Sequence, residues 1–159
     1  MDYSVLMSVY HKEKPEFLKQ SMESIFQQTV PTNDFVLVCD GPLNNALYTV
    51  INEMQKLFGE RLNVVRLAKN GGLGNALNEG IKHCKNELVA RMDSDDIAYP
   101  DRCERQIDVF KRYPEISICS GIVEEFTDNP SIVDAKRVPP ETNAEIIEFA
   151  KMRNPFNHP

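Results

Sequence analysis

Short apolar segments alternate with amphipathic helical stripes along most of this chain, and this alternation constrains the fold more than any other feature. The apolar segments are typical of strands and cover Tyr3–Val9, Phe35–Cys39, Leu62–Leu67, Leu88–Met92 and Ile116–Val123. Helical spacing of apolar residues follows Pro15, spans Leu47–Phe58, and follows Gly72, Pro100 and Thr142. Strands that alternate with helices predict an α/β fold with a mostly parallel central sheet and helices on both faces.

Length and composition predict one cytoplasmic domain over residues 1–159. The chain has 159 residues, of which 42% are hydrophobic and 26% charged, as in soluble globular proteins. The formal net charge of −6 argues against a nucleic-acid binder, which would carry a basic face. No secretory signal precedes the first strand, and the four cysteines are widely spaced. Free thiols in a reducing cytosol are therefore expected.

Three carboxylates follow the fourth predicted strand directly. Leu88–Met92 runs into Asp93, Asp95 and Asp96, and three negative charges so close together repel one another. A hard divalent cation such as Mg²⁺ or Mn²⁺ takes oxygen ligands and would remove that cost. The alternative is a solvated turn that caps the following helix.

Unusual polar residues follow four of the predicted strands at the same end. In strand order they are Ser8 with Tyr10, Asp40-Gly41, Lys69-Asn-Gly-Gly72 and Asp93-Ser-Asp-Asp96. Ligands of open parallel sheets bind outside the carboxyl ends of the strands, so these segments predict one pocket. Two alternatives are structural: Tyr10 could pack against the first helix, and Asp40-Gly41 has the composition of a turn.

The glycine segment only partly fits a phosphate-binding motif. Gly72-Leu-Gly-Asn-Ala-Leu77 has the first two glycines of G-x-G-x-x-G, but Leu77 replaces the third. An acid about twenty positions on, near Asp93 or Asp95, keeps a dinucleotide site open as an alternative. The plainest interpretation is a helix N-terminus with close packing at Gly80.

Taken in order, these segments resemble the nucleotide-sugar-binding half of a family 2 glycosyltransferase with the GT-A fold. The matching segments are Ser4–Tyr10, Gln27–Thr29, Val38–Gly41, Asn70–Asn78, Ala90–Asp96 and Pro100–Arg102. They cover nearly all of the chain to about Val123. Their order and spacing are more specific than the acidic segment alone.

The resemblance implies a role for each matching residue in the nucleotide site. Ser8, Tyr10 and Asp40 match positions that hold the base, usually uracil. Lys69 and Asn70 belong to a loop that faces the nucleotide. The implied donor is therefore a UDP-sugar. An aspartate in such a position can accept a hydrogen bond from the imide N–H of the base.

The resemblance also implies a metal site and an acceptor. Asp93 matches an acid near the ribose and the metal, Asp95 matches the carboxylate that coordinates Mn²⁺ or Mg²⁺, and Asp96 accompanies them. The implied reaction is inverting transfer of a sugar to a saccharide or lipid-linked saccharide acceptor, as part of bacterial polysaccharide or lipid-linked oligosaccharide synthesis. Peripheral association of the full-length enzyme with the inner face of the membrane is left open.

One part of the family pattern does not occur in this chain. Family members continue into an acceptor-binding half that carries the catalytic base, and no such acidic motif occurs before Pro159. The segment Asn154–His158 resembles the lead-in to that half. The fold is therefore expected to be truncated at the C-terminus, with the base beyond residue 159.

Two alternatives from other functional classes stay open. One is a sugar nucleotidyltransferase, although Val9–Glu13 lacks the glycine-rich loop that such enzymes usually carry after the first strand. The other is a non-catalytic nucleotide-binding module.

Overall fold

A computed structural model describes residues 1–157 of the chain. His158 and Pro159 lie outside the described residues, so the predicted lead-in Asn154–His158 is described only to Asn157. The chain divides into two compact units, Met1–Ile107 and the residues from Asp108 on. No helix within residues 1–157 is both long and apolar enough to cross a lipid bilayer.

The first unit is built on a four-stranded parallel sheet in the order β3-β2-β1-β4. Its strands are β1 (Ser4–Val9), β2 (Asp34–Cys39), β3 (Leu62–Arg66) and β4 (Val89–Asp93). The helices between them are α1 (Pro15–Phe26), α2 (Asn45–Phe58) and α3 (Leu73–Gly80), and α4 (Arg102–Arg112) follows β4. The predicted parallel sheet with alternating helices is confirmed.

Helices cover both faces of this sheet, as the sequence predicted. One core cluster packs alternate strand residues such as Val5, Met7 and Leu37 against α1, α2 and the first part of α4. A smaller cluster packs the opposite set, which includes Leu6 and Val38, against α3. Every residue of β2 is buried, because this strand lies inside the sheet and is covered on both sides.

Local signals explain where the helices begin and end. Proline occupies the first position of α1, where its missing N–H costs nothing. The Asn44 side chain caps α2 by accepting a hydrogen bond from the Leu47 amide at 3.0 Å. Gly59, at φ 59°, ends α2.

The second unit contains a two-stranded antiparallel sheet and one helix. Strand β5 (Val123–Glu125) pairs with β6 (Ala135–Arg137), and a capping box at Thr142 begins α5 (Asn143–Ala150). The prediction of a strand over Ile116–Val123 is wrong, because β5 begins only at Val123. Ile118 and Ile122 are 57% and 58% exposed, so this apolar segment has no buried face on which to form a strand.

Candidate functional site

The carboxyl ends of β1, β2 and β4 meet at one edge of the sheet. Ser8 of β1 is in register with Val38 of β2 on one side and with Asp93 of β4 on the other. The amide of Asp40, directly after β2, donates to the Val9 carbonyl at 2.8 Å. The sheet therefore brings Ser8, Asp40 and Asp93 to neighbouring strand ends, as expected for a ligand-binding edge.

Tyr10 follows β1 and is exposed at this edge. Tyr10 is 43% exposed, and its ring makes an edge contact with His11, with ring centroids 5.7 Å apart. This exposure does not favour the alternative in which Tyr10 packs against the first helix. An exposed tyrosine can offer an aromatic face and a hydroxyl to a ligand, which suits contact with a base.

The Asp40 carboxylate holds the glycine loop in place. Its Oδ1 accepts from the Gly71 amide at 2.8 Å, and its Oδ2 accepts from the Gly72 amide at 3.0 Å. The Asn70 side-chain amide donates to the Asp40 carbonyl at 3.2 Å. Asp40 is only 3% exposed, whereas Lys69 and Asn70 are exposed. Direct contact between Asp40 and a base therefore stays a prediction. The hydrogen bonds indicate a second role for Asp40, which is to position the glycine loop.

Gly41 allows the Asp40 turn to approach this loop. Its φ of 82° lies in the left-handed region, and a Cβ there would lie 2.5 Å from the Asn70 amide nitrogen. The loop ends at Gly72, which precedes α3 at φ 85° without a side-chain cap. The close approach of Gly41 to Asn70 thus supports the alternative in which Asp40-Gly41 is a structural turn.

Helix α1 and the segment directly after it fix the acidic loop through buried polar side chains. The Ser21 hydroxyl donates to the Asp93 carbonyl at 2.7 Å, and the Ser24 hydroxyl accepts from the Ala98 amide at 3.0 Å. The Gln28 amide donates to a carbonyl of the loop at 2.8 Å and accepts from an amide of α4 at 3.0 Å. The backbone that carries the three acids is therefore anchored at both ends.

The three acids of this loop interact electrostatically. Burial raises the pKa of Asp96 to about 6, and the charges of Asp95 and Asp93 add to this rise. Asp95 is exposed, and the Asp93 side chain is 28% exposed. Clustered carboxylates that disfavour each other's ionisation are a donor set that a hard divalent cation fits. Within residues 1–157, however, no group of three His, Cys, Asp or Glu side chains is arranged to hold a metal by itself.

Arg91 is a further charged residue of this edge, and the matching segment Ala90–Asp96 assigned it no role of its own. Its Nη2 donates to Asp93 Oδ1, and the two side chains are 22% and 28% exposed. Its Nε and Nη1 are buried and have no acceptor among residues 1–157. The spacing of Arg91 and Asp93 could have indicated this pair, because residues two apart in a strand lie on the same face.

Comparison with known families gives a match to nearly the whole chain. The model described as Glycosyl transferase family 2 matches residues 4–158. This match disfavours the nucleotidyltransferase alternative and agrees with the motifs at the sheet edge.

Two similar proteins are named as sugar transferases. The amylovoran biosynthesis glycosyltransferase AmsE of Erwinia amylovora is 46% identical over 98% of this chain and 57% of its own length. The UDP-Gal:alpha-D-GlcNAc-diphosphoundecaprenol beta-1,3-galactosyltransferase of Escherichia coli is 37% identical over 99% of this chain and 56% of its own length. The chain thus spans little more than half the length of these curated relatives.

A solved structure confirms the GT-A fold. TarS of S. aureus, residues 1–349 in complex with UDP-GlcNAc, matches with a TM-score of 0.61 and 25% identity. The match covers 77% of this chain and 33% of TarS 1–349.

Proposed function

The chain belongs to glycosyl transferase family 2, and on that premise we propose that residues 1–159 form the donor-binding part of a metal-dependent, inverting glycosyltransferase that uses a UDP-sugar. The observation that carries this proposal is the anchored acidic loop at the carboxyl end of β4, beside Ser8 and the loop held by Asp40. The UDP-GlcNAc complex of TarS, a protein of the same fold, supports the choice of donor class.

Asp95, with help from Asp93, would hold Mn²⁺ or Mg²⁺ in this site. Such ions are commonly bound by one or two carboxylates, with substrate phosphates and water as the other ligands, so two acids suffice here. When bound, the cation supplies positive charge against the diphosphate leaving group. The hydrogen bond from Ser21 to the Asp93 backbone keeps the loop in place for this role.

The nucleotide would lie along the edge from β1 to the glycine loop. We assign the base to Ser8, Tyr10 and Asp40, and the nucleotide-facing loop to Lys69 and Asn70. The exposed Tyr10 ring can stack on a base, and the exposed Lys69 ammonium can approach an anionic group.

We further propose that a second part of the enzyme binds and activates the acceptor. One relative is named for a diphosphoundecaprenol-linked acceptor and another for amylovoran biosynthesis. We therefore propose a saccharide or lipid-linked saccharide acceptor in polysaccharide synthesis. The relatives have a part that this chain does not match. In the enzyme, a base in the corresponding part would take the proton of the acceptor hydroxyl. The acceptor oxygen then bonds to the anomeric carbon as the bond to the diphosphate breaks, which inverts the configuration and releases UDP.

The first test is the metal dependence of UDP binding. We expect calorimetry to show tighter UDP binding with Mn²⁺ than with EDTA, and Asp95→Ala to abolish most of this difference. Asp108→Ala is the matched control, because it removes an equally charged, exposed acid from the second unit. Equal UDP affinity with and without metal in the unaltered chain would refute the proposal.

The second test concerns the base. Without general-base assistance, typically worth 10²- to 10⁴-fold, residues 1–159 should show at most slow, metal-dependent hydrolysis of the donor. UDP release from a panel of UDP-sugars is measured with and without saccharide acceptors. Efficient acceptor-dependent turnover would place the base within this chain and contradict the proposed division of the enzyme.

A further inference from the structure

Arg91 carries two buried hydrogen-bond donors for which residues 1–157 supply no acceptor. Its Nη2 donates to Asp93 Oδ1, while Nε and Nη1 are buried and unpaired. Buried guanidinium nitrogens with unmet N–H donors are costly, so we expect a bound ligand to supply an acceptor. The backbone of Arg91 is itself fixed, because the Arg102 Nη2 donates to its carbonyl at 2.8 Å.

The position of Arg91 links it to the proposed metal and donor. It lies two residues before Asp93 in β4, so both side chains project from the same face of the strand. A cation on Asp93 would compete with the guanidinium for the same carboxylate. A nucleotide diphosphate then adds further negative charge to a loop that already has three acids, and a divalent ion offsets only part of that charge.

We propose that Arg91 is a donor-binding residue that exchanges partners when the site is filled. Without a bound cation its guanidinium pairs with the Asp93 carboxylate. When a divalent cation takes Asp93, the planar guanidinium donates to oxygens of the donor diphosphate, a geometry that arginine provides and lysine does not. This inference rests on the proposed function, because it requires a metal and a nucleotide at the same edge of the sheet.

Calorimetry of Arg91→Gln in the whole chain tests separately whether Arg91 competes with the cation for Asp93 and whether it contacts the diphosphate. Titration with MnCl₂ alone should show tighter binding, by about threefold or more, because a competing charge has been removed. Titration with UDP at saturating Mn²⁺ should show weaker binding, by about tenfold or more, because a charged hydrogen-bond donor has been lost. Arg91→Lys keeps the charge, so it should bind Mn²⁺ alone as the unaltered chain does yet still bind UDP more weakly.

Arg105→Gln is the matched control, because Arg105 of α4 pairs with Asp101, directly before the helix, and its side chain is 78% exposed. It should change neither titration. Unchanged UDP affinity in Arg91→Gln would overturn the contact with the diphosphate, and unchanged Mn²⁺ affinity would overturn the competition for Asp93. If Arg91→Gln does not fold, Arg91→Lys alone decides the diphosphate contact. If the unaltered chain binds UDP equally well with and without metal, the proposed function fails, whereas the MnCl₂ titrations still report whether Arg91 competes for Asp93.

Discussion

Replacing Asp40 with alanine tests whether this residue contacts the base or positions the glycine loop. Asp40→Ala removes two hydrogen bonds, of 2.8 and 3.0 Å, from its carboxylate to the amides of Gly71 and Gly72. Base contact alone predicts weaker UDP binding with little loss of stability. Because the carboxylate holds the loop, we expect both UDP affinity and stability to fall.

The expected loss of stability follows from these two bonds. Hydrogen bonds to charged groups contribute roughly 1.5–3 kcal/mol each, but the exposed amides of Gly71 and Gly72 can bind water instead. We therefore expect the free energy of unfolding to fall by about 2–3 kcal/mol in total. For a chain of this length that corresponds to a decrease of roughly 4–12 °C in Tm. The stability of Asp40→Asn should lie between those of the unaltered chain and Asp40→Ala, because the asparagine keeps one acceptor but turns an N–H toward the other amide.

The assays are urea unfolding, amide hydrogen exchange and UDP calorimetry. Exchange at Gly71 and Gly72 should become faster in Asp40→Ala, because their acceptor is gone. Gly41→Ala keeps the carboxylate but places a Cβ 2.5 Å from the Asn70 nitrogen, so it should also weaken UDP binding. Gly59→Ala is its matched control, with φ 59° and open space around the new Cβ. An unchanged urea midpoint in Asp40→Ala, together with lost UDP binding, would refute the positioning role.

Three further predictions concern charge, packing and capping. The pKa of Asp96 is raised to about 6, so the folded state binds more protons than the unfolded state between about pH 4 and 6, and its stability falls as pH rises. In EDTA, Asp96→Asn should remove this dependence, and its gain in stability over the unaltered chain should be largest above pH 6. Gly80→Ala places a Cβ 2.5 Å from Leu6 and 2.6 Å from Val38, so urea unfolding should show a loss of about 1–3 kcal/mol, and an unchanged midpoint would refute close packing there. Thr142→Ala removes the cap of α5 and should reduce helical circular dichroism and stability by about 1 kcal/mol, whereas an unchanged spectrum would show that the cap is dispensable.

The four strands of the first unit could be predicted because their apolar segments become buried. Phe35–Cys39 is continuously apolar, and the structure buries all of it inside the sheet. Ile116–Val123 is also rich in apolar residues, although Ser117, Ser120 and Gly121 interrupt it. Ile118 and Ile122 are exposed there, and only Val123 enters a strand. Strand formation depends on a pairing partner distant in sequence, and local composition does not report that partner.

In the candidate site, too, features set by local sequence could be predicted, whereas contacts between distant residues could not. The sequence placed Ser8, Asp40 and Asp93 at the ends of predicted strands, and the register confirms that these ends are neighbours. The bonds from Asp40 to a loop about thirty positions away depend on the turn at Gly41, whose φ the sequence does not state. Arg91 was missed because a charged residue inside a strand can equally face solvent or a site.

The order of strands in the sheet determines when the site can form during protein synthesis. Strand β2 pairs with β1 on one side and with β3 on the other, and all three strands are available once Arg66 has left the ribosome. Strand β4, which leads into the acidic loop, pairs with the other edge of β1 only after Asp93 has left the ribosome. Until then a nascent chain exposes an unpaired, strongly apolar strand edge, the kind of surface that recruits chaperones or aggregates. A ribosomal pause while residues 67–88 emerge should therefore lower the yield of folded protein more than a pause after residue 107 has emerged.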